Sequence, residues 1–398
     1  MKMLFITDKF PPSEGGSRVY YYNLCKNYPP EDVVVLTKKV EGYEEFDKRL
    51  QFNIIRKGRP LPNWKYYQLP RMLSPLLWAI FLVLKERIRV IHCGDDFPAT
   101  AIGLLIKKLF NIPYVYYEHG EGITWCKQFR FQPKIREIFL KNADAIVAAC
   151  TYAEEGVSHE LQAIGDSREK IFKITPGVDY YKFRPEWKDD EFKRGLGIEG
   201  KKTILTLGRL VERKGQDTVI RAMPKILKEV PNALYLIAGR GPYEKALKAI
   251  VSKLHLEQYV RFLGFVSNDE IPSLYSISNI FVMVNRETLQ DGPEGFGMVF
   301  TEASAAGKPV IGGKSGGTQD SILEGFTGYR VDPHNVDEVA GCIVKVLKDE
   351  ELAMTLGRNG RKWVVEHCDW REKAKQLELV NKSILSKYAK RDSETSSE

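Results

Sequence analysis

Short apolar runs alternate with helical stretches along nearly the whole chain, and this alternation restricts the fold more than any other feature. A strand covered by helices on both faces carries no polar alternation, and a helix between successive strands returns the chain so that they lie parallel. The first series has expected strands at 3–7, 33–36, 52–55, 90–92, 114–117, 145–149 and 171–174. Its helices are expected from 17 onward and near 73–87, 98–109, 133–142 and 152–163. The rhythm breaks at Pro176-Gly177-Val178-Asp179 and Phe183-Arg184-Pro185, and a polar stretch, 187–200, follows. It then restarts with strands at 203–207, 233–238, 260–263, 280–284, 309–312 and 328–331, and helices near 216–229, 243–253, 299–306 and 337–348.

The fold class read from this pattern is α/β, with two doubly wound Rossmann-like domains over 1–178 and 179–369 and no sequence repeat between them. At 398 residues the chain exceeds what one core usually supports, which agrees with two domains. Beyond them, Trp370, Ala374, Leu377, Val380, Ile384 and Tyr388 recur at three- and four-residue steps. They predict a helix over 370–389 with one apolar stripe that must be covered. The polar end, 390–398, is expected to be disordered.

The six cysteines are scattered without a C-x-x-C pair, which reads as buried reduced thiols and disfavours a zinc site. No apolar run reaches the roughly 18 residues of a membrane span, and the first residues run directly into Asp8 without a leader-like segment. The expected location is therefore cytoplasmic. The net charge is +8, most of it in the first 178 residues. A basic face attracts anions of many kinds; with no nucleic-acid motif beside it, a phosphorylated substrate or an anionic membrane is the expected partner.

Ligands of doubly wound sheets bind outside the carboxyl ends of the strands, and two such domains side by side leave a cleft there. The loops after strands are thus the places to look for chemistry. Gly208-Arg209-Leu210-Val211-Glu212-Arg213-Lys214-Gly215 follows the first strand of the second half, and Arg209 and Lys214 can both reach a diphosphate. Asp291-Gly-Pro-Glu294-Gly295-Phe296-Gly297-Met298-Val299 leads into a helix that carries Glu302 and stops at Gly307. Glu294 and Glu302 could hold hydroxyl groups at two ends of a sugar nucleotide while the intervening amides face its phosphates. Gly15-Gly16 precedes a helix after the first strand and could bring amides to the same phosphates. His119, at the end of a first-half strand in Glu118-His119-Gly120-Glu121, suits proton transfer or neutral hydrogen bonding. The adjacent pairs Asp95-Asp96 and Asp189-Asp190 lack Asp-x-Asp spacing, so no metal site is expected. Taken singly, each of these segments also fits an ordinary solvated loop.

Jointly they resemble the retaining glycosyltransferases of family 4, which adopt the GT-B fold. Glu294-Gly-Phe-Gly-Met-Val-Phe-Thr-Glu302 is similar to that family's E-x7-E motif, and Gly208-Arg209 with Lys214-Gly215 to its diphosphate segment. Phe10-Pro-Pro with Gly15-Gly16 resembles its first glycine loop, and Pro176-Gly-Val-Asp179 with Phe183 its domain junction. Trp370 and the last helix resemble the segment that crosses back onto the N-terminal domain. The likeness spans nearly the whole chain. It implies a nucleoside-diphosphate sugar held by the second domain, an acceptor held by the first, and metal-independent transfer with retention. It assigns the diphosphate to Arg209 and Lys214, the ribose to Glu302, donor-sugar hydroxyls to Glu294, and the base to Val266. The amides of Gly295, Phe296, Gly297, Met298 and Val299 lie beside Glu294, and His119 contacts the sugar near the reacting carbon. Within the family the motifs look closest to the phosphatidylinositol mannosyltransferase group, although Glu118-His119-Gly120-Glu121-Gly122 lacks that group's second histidine.

The expected function is transfer of a hexose such as mannose, from GDP-mannose or a UDP-hexose, to a lipid-linked or carbohydrate acceptor. A nucleotide-sugar epimerase of similar fold and a non-catalytic sugar-nucleotide-binding protein are the alternatives. The stretch 127–141, with Phe129, Phe131, Ile135, Ile138 and Phe139 among its cations, suggests peripheral docking on the inner face of an anionic membrane.

Overall fold

A computed structural model describes residues 1–57, 69–120, 132–187, 189–288 and 291–395. It contains two compact units. One is Met1–Pro176 together with Trp370–Glu398, and the other is Gly177–Asp369.

The first unit is built on a seven-stranded parallel sheet of β1 (Met3–Ile6), β2 (Val33–Lys38), β3 (Asn53–Lys57), β4 (Val90–Cys93), β5 (Tyr114–Glu118), β6 (Ala145–Ala148) and β7 (Ile171–Lys173). Their spatial order is β3-β2-β1-β4-β5-β6-β7. The chain moves outward from β1 to β3 and then returns to the other side of β1, pairing Ile6 with Cys93. The order therefore reverses between β1 and β4, and helices on either side open a crevice at such a reversal. All residues of β1, β4, β5 and β6 are buried, as the unbroken apolar runs predict.

The second unit has a six-stranded parallel sheet of β8 (Lys202–Leu207), β9 (Ala233–Ala238), β10 (Val260–Gly264), β11 (Ile280–Met283), β12 (Val310–Gly313) and β13 (Gly328–Val331). The order is β10-β9-β8-β11-β12-β13, so the reversal here falls between β8 and β11. Leu205 pairs with Phe281 across it. The helix Gln216–Glu229 covers one face, packing Val219, Ile220, Met223 and Ile226 into a cluster with Ile204, Val282 and Ile311. Burial of such side chains stabilises the fold by about 1.5–3 kcal/mol each before conformational entropy is set against it.

The sequence pattern did not mark the helices Asp190–Gly195, Ile271–Ile277 and Glu350–His367. The last of these begins at Asp349, whose carboxylate accepts a hydrogen bond from the Leu352 amide at 2.9 Å. The terminal helix spans Trp370–Thr395 and so overruns the expected disordered tail; residues 396–398 of that tail lie outside the described residues. Lys390 and Arg391 are good helix formers, and each residue added to an existing helix gains a backbone bond without a new nucleation cost. Its predicted stripe is buried at Trp370, Ala374, Leu377, Val380 and Ile384. Trp370 meets the Tyr20 ring at 5.9 Å, and Lys373 Nζ donates to Thr175 Oγ1 at 3.0 Å, so this helix is bound into the first unit.

Candidate functional site

In the second unit, the loops after β8, β11 and β12 meet at the carboxyl end of the sheet. Leu207 ends β8, the Gly208 amide donates to the Ala238 carbonyl at 3.0 Å, and fully buried Leu210 anchors the segment. This leaves Arg209 exposed, with no side-chain hydrogen bond or ion pair among the described residues. A short 3-10 turn, Glu212–Lys214, then leads to Gly215 at φ +70°. A Cβ at Gly215 would lie 2.0 Å from the Val284 carbonyl oxygen, so only glycine lets the chain turn here against β11's extension.

That turn aims two cations at one carboxylate. Lys214 Nζ lies 2.6 Å from Glu294 Oε2, and Arg213 Nη1 lies 3.4 Å from the same oxygen while donating to the Pro293 carbonyl at 3.1 Å. Glu294 is buried. Burial alone pushes its carboxyl up, but the Lys214 ammonium and then the Arg213 guanidinium outweigh this and hold it below the usual carboxylate range. At neutral pH Glu294 is an anion that accepts hydrogen bonds. The Glu294 carbonyl takes the Gly317 amide at 3.0 Å, fastening its loop to the one after β12.

Gly295 is half-buried, Phe296 is buried, and Gly297 caps the helix Met298–Ala305, from which Met298 and Val299 remain partly exposed. Glu302 lies inside this helix and is partly buried. Its Oε2 accepts from Tyr275 Oη at 2.9 Å. Burial pushes its carboxyl up to about 7, opposed by the Tyr275 hydrogen bond and Lys182. The two glutamates thus differ in charge behaviour because Lys214 and Arg213 outweigh burial at Glu294, whereas the Tyr275 hydroxyl and Lys182 do not at Glu302. Val266 follows the edge strand β10 and packs on the apolar cluster that includes Phe183, Leu205 and Phe281.

The first unit contributes its own group of residues around the β1/β4 reversal. Gly15 and Gly16 are exposed, and Gly15 caps the helix Gly16–Lys26. His119 directly follows β5 and is half-buried, and its ring sits edge-on to Tyr20 and Tyr21 with both centroids 5.2 Å away. Burial, with Lys9 adding to it and Glu118 opposing, lowers its pKa to about 4, so it is neutral at physiological pH. Glu118 is held ionised by buried Arg136, whose Nη2 donates to it at 2.5 Å. Glu121 and Gly122 of that motif lie outside the described residues.

Sequence reasoning passed over several polar groups at these strand ends. Arg213 was read only as part of a basic run, and Tyr275 and Tyr21 were not singled out. Buried Asn285 Nδ2, Gln216 Oε1 and Ser315 Oγ have no hydrogen-bond partner among the described residues, and all three follow strands of the second sheet. Polar residues directly after apolar strands were the available signal for Asn285 and Ser315.

Comparison with known proteins identifies the family of each unit. Residues 14–181 match the model described as Glycosyltransferase Family 4, and residues 188–363 match Glycosyl transferases group 1. A GDP-mannose-dependent alpha-(1-6)-phosphatidylinositol monomannoside mannosyltransferase of Mycolicibacterium smegmatis is 29% identical over 94% of this chain and 97% of its own length. A GDP-mannose-dependent monoacylated alpha-(1-6)-phosphatidylinositol monomannoside mannosyltransferase of Corynebacterium glutamicum is 28% identical over 96% and 98%. Among solved structures, Anabaena Alr3699/HepE in complex with UDP superposes with a TM-score of 0.80 at 20% identity, covering 96% of this chain and all (100%) of that one. Sucrose-phosphate synthase from Thermosynechococcus elongatus gives 0.76 at 21% identity, over 97% and 99%. Two parallel-sheet units of this topology, each matched by its own family model, make the chain a GT-B glycosyltransferase that belongs to the group 1 and family 4 transferases.

Proposed function

We propose that this transferase moves a mannosyl group from GDP-mannose to a lipid-linked acceptor of the phosphatidylinositol-mannoside type, with retention of configuration and without a metal ion. The observation that carries the reading is the near full-length similarity to relatives named for that donor and that acceptor. In this reading Arg209 and Lys214 take the diphosphate. An ammonium has three N–H donors; Glu294 occupies one, leaving two for phosphate oxygens. Negative charge grows on the leaving phosphate as the glycosidic bond breaks, so these cations stabilise the transition state more than the ground state.

Glu294, ionised and fixed by Lys214 and Arg213, accepts from donor-sugar hydroxyls beside the amides of Gly295 to Val299. Glu302 meets the ribose and Val266 the base. The acceptor oxygen attacks the anomeric carbon on the face that the phosphate leaves. Its proton passes to the departing phosphate oxygen, and retention follows.

A lipid acceptor requires access to a membrane surface, and the first unit has features suited to it. On the helix Leu69–Glu86, Leu73, Leu77, Phe81 and Leu84 are all exposed at steps of four, four and three, forming one apolar stripe. Exposed Lys85, Arg87 and Arg89 flank its end. The basic stretch 127–141 offers less: Phe129 and Phe131 lie outside the described residues, and Arg136, Phe139 and Leu140 of the helix Gln132–Asn142 are buried, leaving Ile135 and Ile138 exposed. Among the described residues, no helix is long and apolar enough to cross a membrane. We place the enzyme peripherally on an anionic, cytoplasm-facing leaflet, with the Leu73–Leu84 stripe inserted.

The test is incubation with GDP-mannose and a phosphatidylinositol monomannoside, followed by mass spectrometry of the lipid. A gain of one hexose that persists in EDTA supports the reading. Conversion of the nucleotide sugar with no acceptor present would instead indicate an epimerase.

A further inference from the structure

We propose that Tyr21 is a positioning residue whose hydroxyl, committed to the Gly94 carbonyl, fixes His119 with its proton on Nε2 and its lone pair on Nδ1. The inference rests on the reading above only where it assigns a use to that lone pair.

A single proton decides the tautomer. A tyrosine hydroxyl has one O–H, and a carbonyl oxygen can only accept. Tyr21 Oη lies 2.6 Å from Gly94 O, so its proton points there. The same oxygen lies 2.7 Å from His119 Nε2 and has only a lone pair left to offer, so Nε2 must be the donor. A neutral imidazole carries one N–H. Nδ1 is therefore unprotonated, and it has no hydrogen-bond partner among the described residues.

The frame that holds this chain is stiff. Tyr21 is fully buried, with the rings of Phe5, Tyr20 and Tyr117 at 5.0, 5.7 and 5.4 Å around it. Gly94 cannot shift easily, because its amide donates to Ile6 O at 2.9 Å and a Cβ on it would lie 2.9 Å from Thr7. The chain thus runs from β1 through the end of β4 and the helix Gly16–Lys26 to the end of β5, across the sheet's reversal point. A buried tyrosine would serve packing equally well as phenylalanine; the hydroxyl is what selects the tautomer. The exposed side of His119 then presents an acceptor, suited to a sugar hydroxyl and not to an anion.

The experiment uses the full chain labelled with 15N in its histidine rings. Two-bond proton–nitrogen correlation spectra, with His119 assigned by its loss in His119→Gln, report the tautomer. The wild type should show a single Nε2–H form, and Tyr21→Phe a mixture of both forms. With GDP-mannose and the monomannoside acceptor, Tyr21→Phe should lower kcat/KM by about 5- to 10-fold, the worth of one neutral hydrogen bond. A wild-type Nδ1–H form, or a tautomer mixture already present, overturns the proposal without reference to activity. A mixture in Tyr21→Phe with kcat/KM within twofold of wild type overturns the positioning role. If His119→Gln itself turns over normally, the assignment of His119 to the sugar fails, while the tautomer result stands separately.

Discussion

Replacing Lys214 by methionine keeps most of the side chain's volume and removes its charge, which tests the coupling of the β8 and β11 loops. In the wild type the Lys214 and Glu294 side chains are 13% and 10% exposed, and the contact is 2.6 Å. Breaking a buried pair by removing one partner typically costs about 3–5 kcal/mol, because the remaining charge is left desolvated. Arg213 at 3.4 Å retains part of the compensation, so we expect a loss of roughly 2–3 kcal/mol. Lys214→Met/Glu294→Gln removes both charges and should recover most of this, giving a coupling of about 2 kcal/mol. The sign with pH follows from the depressed carboxyl of Glu294. The wild-type pair contributes stability that is present above the ordinary carboxylate range and lost as pH falls through the folded-state value. The cost of Lys214→Met should therefore be largest near neutrality and shrink below about pH 4. Two compact units need not unfold together, so amide exchange across β8, β11 and β12 under urea is the suitable assay. A loss below about 0.5 kcal/mol, or one that does not vary with pH, would refute the reasoning.

Glu302→Gln should act in the opposite direction. Burial raises this carboxyl to about 7, so ionising it costs stability as pH climbs from the ordinary range towards neutrality. We expect the variant to gain roughly 1–3 kcal/mol at pH 8 and nothing at pH 4, read as a shift in thermal unfolding; equal melting points at both pH values would count against it. Arg209→Ala should leave stability within about 0.5 kcal/mol, because the side chain is exposed, yet reduce kcat/KM for GDP-mannose at least tenfold, since one charge-assisted hydrogen bond is worth about 1.5–3 kcal/mol. Changing Leu77 and Phe81 together to serine should abolish co-sedimentation with anionic vesicles while leaving the melting point unchanged. Binding that ignores both the substitution and the lipid charge would rule out the stripe.

Much of the fold was legible because a strand buried on both faces declares itself by unbroken apolar residues, as in Met3–Ile6 or Ala233–Ala238. The helix Glu350–His367 was missed for a physical reason. Gly357 and Gly360 lower its helix propensity, yet a Cβ at Gly357 would lie 2.1 Å from the Gly307 carbonyl oxygen and one at Gly360 would lie 3.1 Å from Ser304. They are there so that this helix can pack closely against the segment around Met298–Ala305. The run before Lys85 was likewise read by its total apolarity, which conceals that Leu82 and Val83 point inward while Leu77, Phe81 and Leu84 do not. At the site, the motifs identified which loops matter, but not their pairing. Glu294 and Lys214 stand 80 residues apart, and nothing local in either segment says that one holds the other. Tyr21 and Tyr275 are buried, and their hydroxyls become informative only when the neighbours are known.

The most direct measurement is the anomeric configuration of the sugar on the product. With GDP-α-mannose and a phosphatidylinositol monomannoside, the carbon–proton coupling at the new anomeric centre should report an α linkage. A β linkage, or consumption of the donor with no sugar on the lipid, would contradict transfer with retention by this chain.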